Sequence, residues 1–218
     1  MYLKEPSQKT RIRPKTGAYR VAKRLFDVVF SAVVLVLLCV PGLLVALLIY
    51  LESRAAPFYR EERVGQFGRL FKIIKFRTMV ADSNNLEKYL TPEQIVLMKR
   101  ERKIPNDPRV TRIGKIMRKY SIDEIPQFVN VILGDMSVVG PRAITTSELH
   151  WFGDRVDELL SVPCGITGLW QVARRNDATF ASGERQRLEL DYVRHASMWF
   201  DLKICFYTVF SIFKTTGF

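Results

Sequence analysis

Residues 121–142 read SIDEIPQFVNVILGDMSVVGPR, and the interpretation of both fold and function starts from this stretch. Two adjacent carboxylates, Asp123 and Glu124, stand just before a proline. An apolar run then leads to a loop with glycine and proline that carries Arg142. Further basic residues precede the acids. An acidic pair in so basic a neighbourhood indicates a site for an anionic substrate together with a metal ion.

A purely structural explanation of the acidic pair stands beside the functional one. Ser121 lies three positions before Glu124, which is the spacing of a capping box. In that motif the two residues satisfy each other's backbone N–H groups at the start of a helix. The acids could therefore do no more than begin a helix, and the rest of the chain has to decide between the two explanations.

The composition limits the classes of partner and of chemistry. With 218 residues, a net charge of +12 and a pI near 9.8, the chain is expected to bind a polyanion: nucleic acid, anionic lipid or a phosphorylated substrate. Hydrophobic residues make up 48% of the chain, which excludes a disordered basic tail. The three cysteines and two histidines show no metal-ligand spacing, so carboxylates must supply any acid, base or nucleophile.

The first 24 residues carry eight Lys or Arg and a single Glu. This composition predicts a basic arm that lies against an anionic membrane surface. An arm that binds nucleic acid is the rival interpretation.

Residues 28–51 form an uncharged apolar run of 24 residues, long enough to cross a hydrocarbon core of roughly 30 Å. Pro41, followed by Gly42, removes a helical hydrogen bond in the middle of this run and predicts a sharp kink. Both flanks are positively charged, and the positive-inside rule places both on the cytoplasmic side. We therefore favour a re-entrant helix hairpin, broken at Pro41, over a straight span.

Residues 57–79 alternate apolar and basic side chains around a turn that contains glycine, which predicts a β-hairpin with one basic face. Lys75 and Arg77 are two positions apart and so point to the same side of a strand. An anion-binding pair would have this arrangement, and a solvated strand face is the alternative.

Short helices are predicted in much of the remaining chain. A charged helical cover spans residues 82–103 and is broken at Thr91 and Pro92, and a short basic helix spans residues 111–120. The further predictions are amphipathic helices at 143–160 and 183–195, a Gly/Pro loop at 162–172 with a strand-like end, a basic turn at 174–177, and an aromatic helix at 198–218. The last helix fits a membrane interface as well as a protein core.

Together these elements predict an α+β fold in three parts. Residues 1–24 form the basic arm, and residues 25–52 form the re-entrant membrane helix hairpin. Residues 53–218 form a membrane-associated catalytic domain, in which a small β-hairpin is combined with several short amphipathic helices.

The order of these motifs resembles that of the bacterial sugar transferases, small monotopic polyprenyl-phosphate glycosyl-1-phosphate transferases, over roughly residues 20–215. The matching stretches are KRLFD (23–27), FYR (58–60), RVG (63–65), KFRTM (75–79), DPRVT (107–111), SIDEIPQ (121–127), GDMSVVGPR (134–142) and GITGLWQV (165–172). The FYR motif and the RND at 175–177 resemble the exopolysaccharide-type members most closely, several of which transfer galactose 1-phosphate. Glu61, Ala143 and Arg174 depart from the family's pattern.

The resemblance implies an enzyme that transfers a sugar 1-phosphate from a UDP-sugar to undecaprenyl phosphate and releases UMP. This reaction would be the first membrane step of exopolysaccharide, capsule or glycoconjugate biosynthesis. The resemblance also implies the cytoplasmic face of the bacterial inner membrane as its location, with anionic lipids as further partners and no nucleic acid. It leaves room for a homodimer or for an assembly with downstream glycosyltransferases.

The resemblance also implies roles for individual residues. Asp123 would attack the sugar-bearing phosphate and form a covalent aspartyl-phosphosugar intermediate, and Glu124, the second catalytic residue, would hold Mg²⁺. The residues expected to bind substrate are Lys75, Arg77, Arg118, Arg142, Gln171 and Arg175. Pro41 is expected to kink the membrane helix.

Two non-catalytic alternatives accompany this reading. One is a basic membrane-anchored protein that only binds nucleic acid or lipid headgroups, and the other is a silent family member that acts as an assembly scaffold. The chain has no recognised nucleic-acid motif, and its adjacent acids would repel phosphate without a metal. An electrostatic binder would lose affinity as salt rises, whereas the enzyme would require Mg²⁺.

Overall fold

The computed structural model describes residues 16–101, 104–174 and 182–213. The predicted basic arm therefore lies outside the described residues as far as residue 15. The described residues form an α+β fold, as predicted, with two small sheets. The α-helices are α1 (Gly17–Leu37), α2 (Cys39–Ser53), α3 (Leu86–Tyr89), α4 (Pro92–Glu101), α5 (Arg112–Tyr120), α6 (Gln127–Leu133), α7 (Val156–Leu159), α8 (Leu169–Arg174), α9 (Glu184–His195) and α10 (Met198–Phe213). The strands are β1 (Phe58–Val64), β2 (Leu70–Phe76), β3 (Ser137–Val139) and β4 (Gly165–Thr167), and 3₁₀-helices span Gln66–Gly68, Ile122–Glu124 and Thr146–Arg155.

Helices α1 and α2 form one bent pair. Their axes meet at 62° with the break at Leu38, and Pro41 explains this position because it has no N–H to donate to the carbonyl of Leu37. Within the described residues no individual helix has the length and apolar composition of a membrane span, although the bent pair taken together does. Helix α1 already begins at Gly17, so residues 17–24 of the predicted arm are helical and continuous with the apolar run.

The predicted β-hairpin is confirmed. Strands β1 and β2 pair antiparallel from Phe58 opposite Phe76 to Val64 opposite Leu70. The predicted break at Thr91 and Pro92 is confirmed, because it separates α3 from α4. The short helices predicted at 111–120 and 183–195 are confirmed as α5 and α9.

A second sheet, formed by β3 and β4 in parallel, was not predicted. Ser137 pairs with Gly165, and Val139 pairs with Thr167. The two segments approach so closely that a Cβ atom on Gly165 would overlap the backbone nitrogen of Gly140. Glycine is therefore required at this crossing for reasons of space, and the crossing holds the loop that carries Arg142.

Two secondary-structure predictions are wrong. Residues 143–160 do not form one amphipathic α-helix: Thr146–Arg155 is a 3₁₀-helix, interrupted at Gly153 by φ 49° and ψ −129°, and only Val156–Leu159 is α-helical. The strand of the 162–172 segment lies at Gly165–Thr167, and its predicted strand-like end is helix α8. Leu169 and Val172 are spaced three apart and pack against the main core, which suits a helix rather than a strand.

The core is built around β3, α6, α9 and α10. Its most buried side chains include Val131, Val139, Tyr192 and Ile204. Helix α10 contributes Ile204 to this core, while Trp199, Phe206 and Phe210 on the same helix are exposed. The core interpretation of the aromatic helix therefore holds for one of its faces.

A buried polar network fastens α1 to the last helix. The Lys23 ammonium lies 2.8 Å from an Asp201 carboxylate oxygen and donates to the Val139 carbonyl at 2.9 Å. The hydroxyls of Tyr19 and Tyr192 also donate to Asp201, at 2.9 and 2.7 Å. Asp201 is fully buried, so these donors replace the water that it would otherwise bind.

A second buried carboxylate fastens α1 to β3. Asp27 accepts a hydrogen bond from the Ser137 hydroxyl at 3.0 Å and another from the Val138 backbone N–H at 2.9 Å. With Lys23, it fixes one face of α1 against the strand that leads to the Arg142 loop.

Candidate active site

The acidic pair lies on a single turn of 3₁₀-helix between α5 and α6. Ser121 adopts a left-handed conformation, φ 57°, and ends α5 through its backbone N–H. Its side chain makes no capping hydrogen bond, so the capping box considered as the structural explanation is not formed. The turn instead directs Asp123 and Glu124 toward the basic side chains of neighbouring elements.

Glu124 is the point at which three separate parts of the chain meet. Its Oε1 atom lies 3.5 Å from the Nζ atom of Lys75 on β2 and 3.4 Å from an Nη atom of Arg142, in the loop after β3. The side chains of Glu124 and Lys75 are each 17% exposed, so these ion pairs are only weakly screened by solvent. The structure thus brings together three residues that the sequence assigned to one site.

The electrostatics of Asp123 differ from those of an ordinary surface aspartate. Burial and the neighbouring Glu124 charge raise its pKa to about 6, while Lys75 and Arg118 pull it in the opposite direction. Asp123 is therefore ionised at neutral pH, but its charged form is poorly stabilised. A bound cation would stabilise the charged form of such a carboxylate, and reaction with an electrophile would remove its charge.

The two flanking cations are also perturbed. Burial lowers the pKa of Lys75, against the attraction of Glu124, and burial likewise lowers the pKa of Arg118. Arg118 is oriented by a hydrogen bond of 3.0 Å from its Nε atom to the Thr78 hydroxyl. Both groups thus face an environment with little water, where an anion would be bound strongly.

The other predicted substrate-binding residues lie elsewhere or are not described. The Nε atom of Arg77 donates to the Ala56 carbonyl at 2.7 Å, and its guanidinium carbon lies 5.9 Å from the centre of the Tyr59 ring. The contacts of Arg77 therefore do not join it to Lys75. Gln171 donates to the Ile166 carbonyl at 3.3 Å. Arg175 lies outside the described residues, and the roles of these residues stay predictions.

Sequence reasoning missed a second layer of charge behind Arg142. The backbone N–H of Arg142 donates to the fully buried carboxylate of Glu189 on α9, at 3.2 Å. Burial raises the pKa of Glu189 to about 7, against the attraction of Arg185. The Arg185 guanidinium carbon lies 4.3 Å from the centre of the Trp170 ring. The i, i+4 spacing of Arg185 and Glu189 predicts that the two side chains pair on one helix face. It does not predict that Glu189 accepts a hydrogen bond from the backbone of Arg142.

The residues present fit a magnesium ion better than a metal that needs a larger set of protein ligands. Among the described residues no three His, Cys, Asp or Glu side chains are clustered as metal ligands. Asp123 and Glu124 offer two carboxylates, one of them with a raised pKa. Mg²⁺ commonly binds through one or two carboxylates, with water and substrate phosphates as its other ligands.

A narrow pocket opens beside Glu124. Its volume is about 10 Å³, and its walls include Lys75, Arg142, Arg63 and Gln127. A space of this size has room for roughly one water molecule. The pocket is too small for a phosphate group.

Comparisons with known proteins place these features in context. The sequence profile of the bacterial sugar transferase family matches residues 18–215. The chain is 40% identical over 201 residues to a UDP-galactose-lipid carrier transferase of Erwinia amylovora, and 39% identical over 202 residues to an undecaprenyl-phosphate galactose phosphotransferase of Salmonella typhimurium. Each match covers 91% of this chain and 42% of the relative.

A shorter relative matches along nearly its whole length. The exopolysaccharide production protein ExoY of Rhizobium meliloti is 38% identical over 213 residues, which cover 94% of this chain and 93% of ExoY. The chain therefore spans less than half the length of the first two relatives but corresponds to almost all of the third.

Proposed function

Because this chain belongs to the bacterial sugar transferase family, we propose that it transfers a sugar 1-phosphate from a UDP-sugar to undecaprenyl phosphate and releases UMP. The names of three relatives support this reaction: the galactose phosphotransferase of Salmonella, and the UDP-glucose:undecaprenyl-phosphate glucose-1-phosphate transferases of Escherichia coli and Klebsiella pneumoniae. Within this chain, the observation that best supports the proposal is the acidic pair surrounded by the partly buried cations Lys75, Arg118 and Arg142. The similarity to ExoY and to galactose enzymes favours exopolysaccharide synthesis and galactose as the sugar.

The proposed chemistry proceeds in two displacements at one phosphorus atom. A carboxylate oxygen of Asp123 attacks the phosphorus that bears the sugar, and the bond from that phosphorus to the bridging oxygen of UMP breaks, so UMP leaves with the electron pair. A phosphate oxygen of undecaprenyl phosphate then attacks the same phosphorus and releases the Asp123 carboxylate. Two steps allow a water-soluble donor and a lipid acceptor to use one site in turn.

The basic residues of the site would bind the phosphate groups. Lys75 and Arg142 now neutralise Glu124, and both would become available to phosphate oxygens once Glu124 holds Mg²⁺. Arg118 lies on the Asp123 side, where its charge would favour an incoming diphosphate. When bound, Mg²⁺ would neutralise part of the diphosphate charge.

The direct test is UMP release from a panel of UDP-sugars in the presence of undecaprenyl phosphate and Mg²⁺. We expect release with one preferred sugar, loss of release when Mg²⁺ is chelated, and recovery when it is restored. Without the lipid acceptor, about one UMP should appear per enzyme as the intermediate accumulates. No release from any sugar would support the scaffold or the binding protein instead.

The bent helix pair is proposed to anchor the enzyme at the cytoplasmic face of the bacterial inner membrane. Val36, Leu37, Val40 and Leu43, on both sides of the bend, are 65 to 77% exposed in the protein and would be covered by lipid. A re-entrant arrangement returns both basic flanks to the same face. It would keep the carboxylate pair near the headgroups, where the acceptor phosphate lies.

We expect Pro41→Ala to straighten the pair into a span, because it restores an N–H donor for the carbonyl of Leu37. The measurement introduces Ala18→Cys in a Cys39→Ser background. Intact cells are then treated from outside with a membrane-impermeant maleimide, which labels only thiols on the outer side of the membrane. Position 18 should be protected with Pro41 present and labelled after Pro41→Ala. A cysteine at position 157 should stay protected in both. Continued protection of position 18 would contradict the role given to Pro41.

A further inference from the structure

Two buried N–H donors near Glu124 have no hydrogen-bond partner among the described residues. One is the side-chain Nε2 of Gln127, which belongs to a residue only 2% exposed at the start of α6. The other is the Nε of Arg63 on β1. An unsatisfied buried donor is costly, so each such group in a native protein calls for a partner.

The remaining nitrogens of Arg63 are accounted for. One Nη atom contacts the Ala143 carbonyl at 3.4 Å and Glu148 at 3.5 Å, and the other pairs with Glu61. These contacts hold the guanidinium in place, so its Nε cannot turn elsewhere to find an acceptor. Its position in the pocket wall is therefore fixed.

Gln127 and Arg63, the residues that carry these donors, both line the same narrow pocket, and Glu124 lines it too. The pocket volume of about 10 Å³ corresponds to roughly one water molecule. A buried water typically makes about three hydrogen bonds to polar groups that lack other partners. Two donors and one carboxylate around a space of this size meet that description.

We propose that a single ordered water occupies this pocket, and that it makes Gln127 and Arg63 positioning residues for Glu124. The water accepts hydrogen bonds from Gln127 Nε2 and from Arg63 Nε, and it donates one to the Glu124 carboxylate. Lys75 and Arg142 hold the same carboxylate from their own directions. Glu124 thus keeps one orientation even while its ion pairs open.

This inference rests on the proposed function in one respect, namely that Glu124 is the residue that holds Mg²⁺. Groups that orient a metal ligand from behind typically change metal affinity by about 10- to 100-fold when they are replaced. Removing the Gln127 donor should therefore lower the affinity for Mg²⁺. The rate of UMP release at saturating Mg²⁺ should change less.

The test compares Gln127→Met, which removes the donor at similar side-chain volume, with Gln66→Met as the matched control. The Nε2 atom of Gln66 donates to the Ser161 carbonyl at 2.9 Å, and Gln66 is not among the residues that line the pocket. We expect Gln127→Met to raise the Mg²⁺ concentration for half-maximal UMP release about 10-fold. Gln66→Met should leave that concentration unchanged.

Two readouts do not depend on turnover. A high-resolution crystal structure of the full chain should show an oxygen within about 3.2 Å of both Gln127 Nε2 and Arg63 Nε. The melting temperature should fall in Gln127→Met, because the water loses a partner. If the pocket were empty, the same substitution would remove an unsatisfied donor and the melting temperature would stay or rise.

An empty pocket in the crystal, or an unchanged or raised melting temperature, would overturn the inference. An unchanged Mg²⁺ dependence in an active Gln127→Met variant would overturn its positioning role. Failure of wild-type enzyme to release UMP would count against the proposed function instead, and the density and the melting temperature would still decide whether the water is present.

Discussion

Asp123→Asn is expected to reduce UMP release on the order of 10³-fold or more, because the amide cannot act as the attacking carboxylate and the covalent route is lost. The change removes one oxygen and one charge with little change in volume. The burst of UMP in the absence of acceptor should disappear with it. For the wild type, kcat/KM should fall as the pH drops below about 6, where Asp123 becomes protonated.

The matched control is Asp157→Asn, which changes an exposed carboxylate on α7. It should release UMP at the wild-type rate and retain the burst. Labelling with a UDP-sugar that carries radioactive phosphate in the position next to the sugar should mark the wild-type chain but not Asp123→Asn. Normal turnover by Asp123→Asn would show that another group is the nucleophile, even if the overall reaction were the proposed one.

The second large effect is expected on stability, from Lys23→Met. The substitution leaves the fully buried Asp201 without its only cationic partner among the described contacts. Removing one partner of a buried ion pair typically costs about 3–5 kcal/mol, because the other charge is left uncompensated. The melting temperature in detergent, followed by circular dichroism, should therefore fall strongly.

Two further variants test whether the uncompensated charge of Asp201 is the cause of the stability loss in Lys23→Met. Lys23→Met combined with Asp201→Asn removes both charges and should recover part of the lost stability. Lys203→Met changes an exposed lysine on α10 and should leave the melting temperature nearly unchanged. A wild-type melting temperature for Lys23→Met would mean that the network does not hold α1 in place.

The features that the sequence predicts correctly are those that depend on local patterns of residues. The hairpin of β1 and β2 is confirmed, because alternating apolar and basic residues around a turn that contains glycine are a short-range signal. The convergence of Lys75, Glu124 and Arg142 could be expected only from the resemblance, since the three residues lie on separate elements. The bend was placed at Pro41 and lies at Leu38, within one helical turn, since a proline disturbs the carbonyl four residues before it.

The features that could not be predicted depend on contacts between distant segments. Strands β3 and β4 have three residues each, too few for a periodic signal, and their pairing depends on the close approach of Gly140 and Gly165. Glu189 supports Arg142 across 47 positions of the chain. Gly153 ended the expected helix through a backbone conformation that its neighbours in sequence do not indicate.

The pairing of Lys23 with Asp201 also constrains the order of events during biosynthesis. The two residues are 178 positions apart, so a ribosome must complete the whole intervening chain before the Asp201 carboxylate exists. Until then the Lys23 ammonium on α1 has no carboxylate partner, so the face of α1 that carries it cannot be buried in the final structure. In a nascent chain, α1 can therefore pack in its final position only after residue 201 has been synthesised, and its docking against α10 must follow the synthesis of that helix.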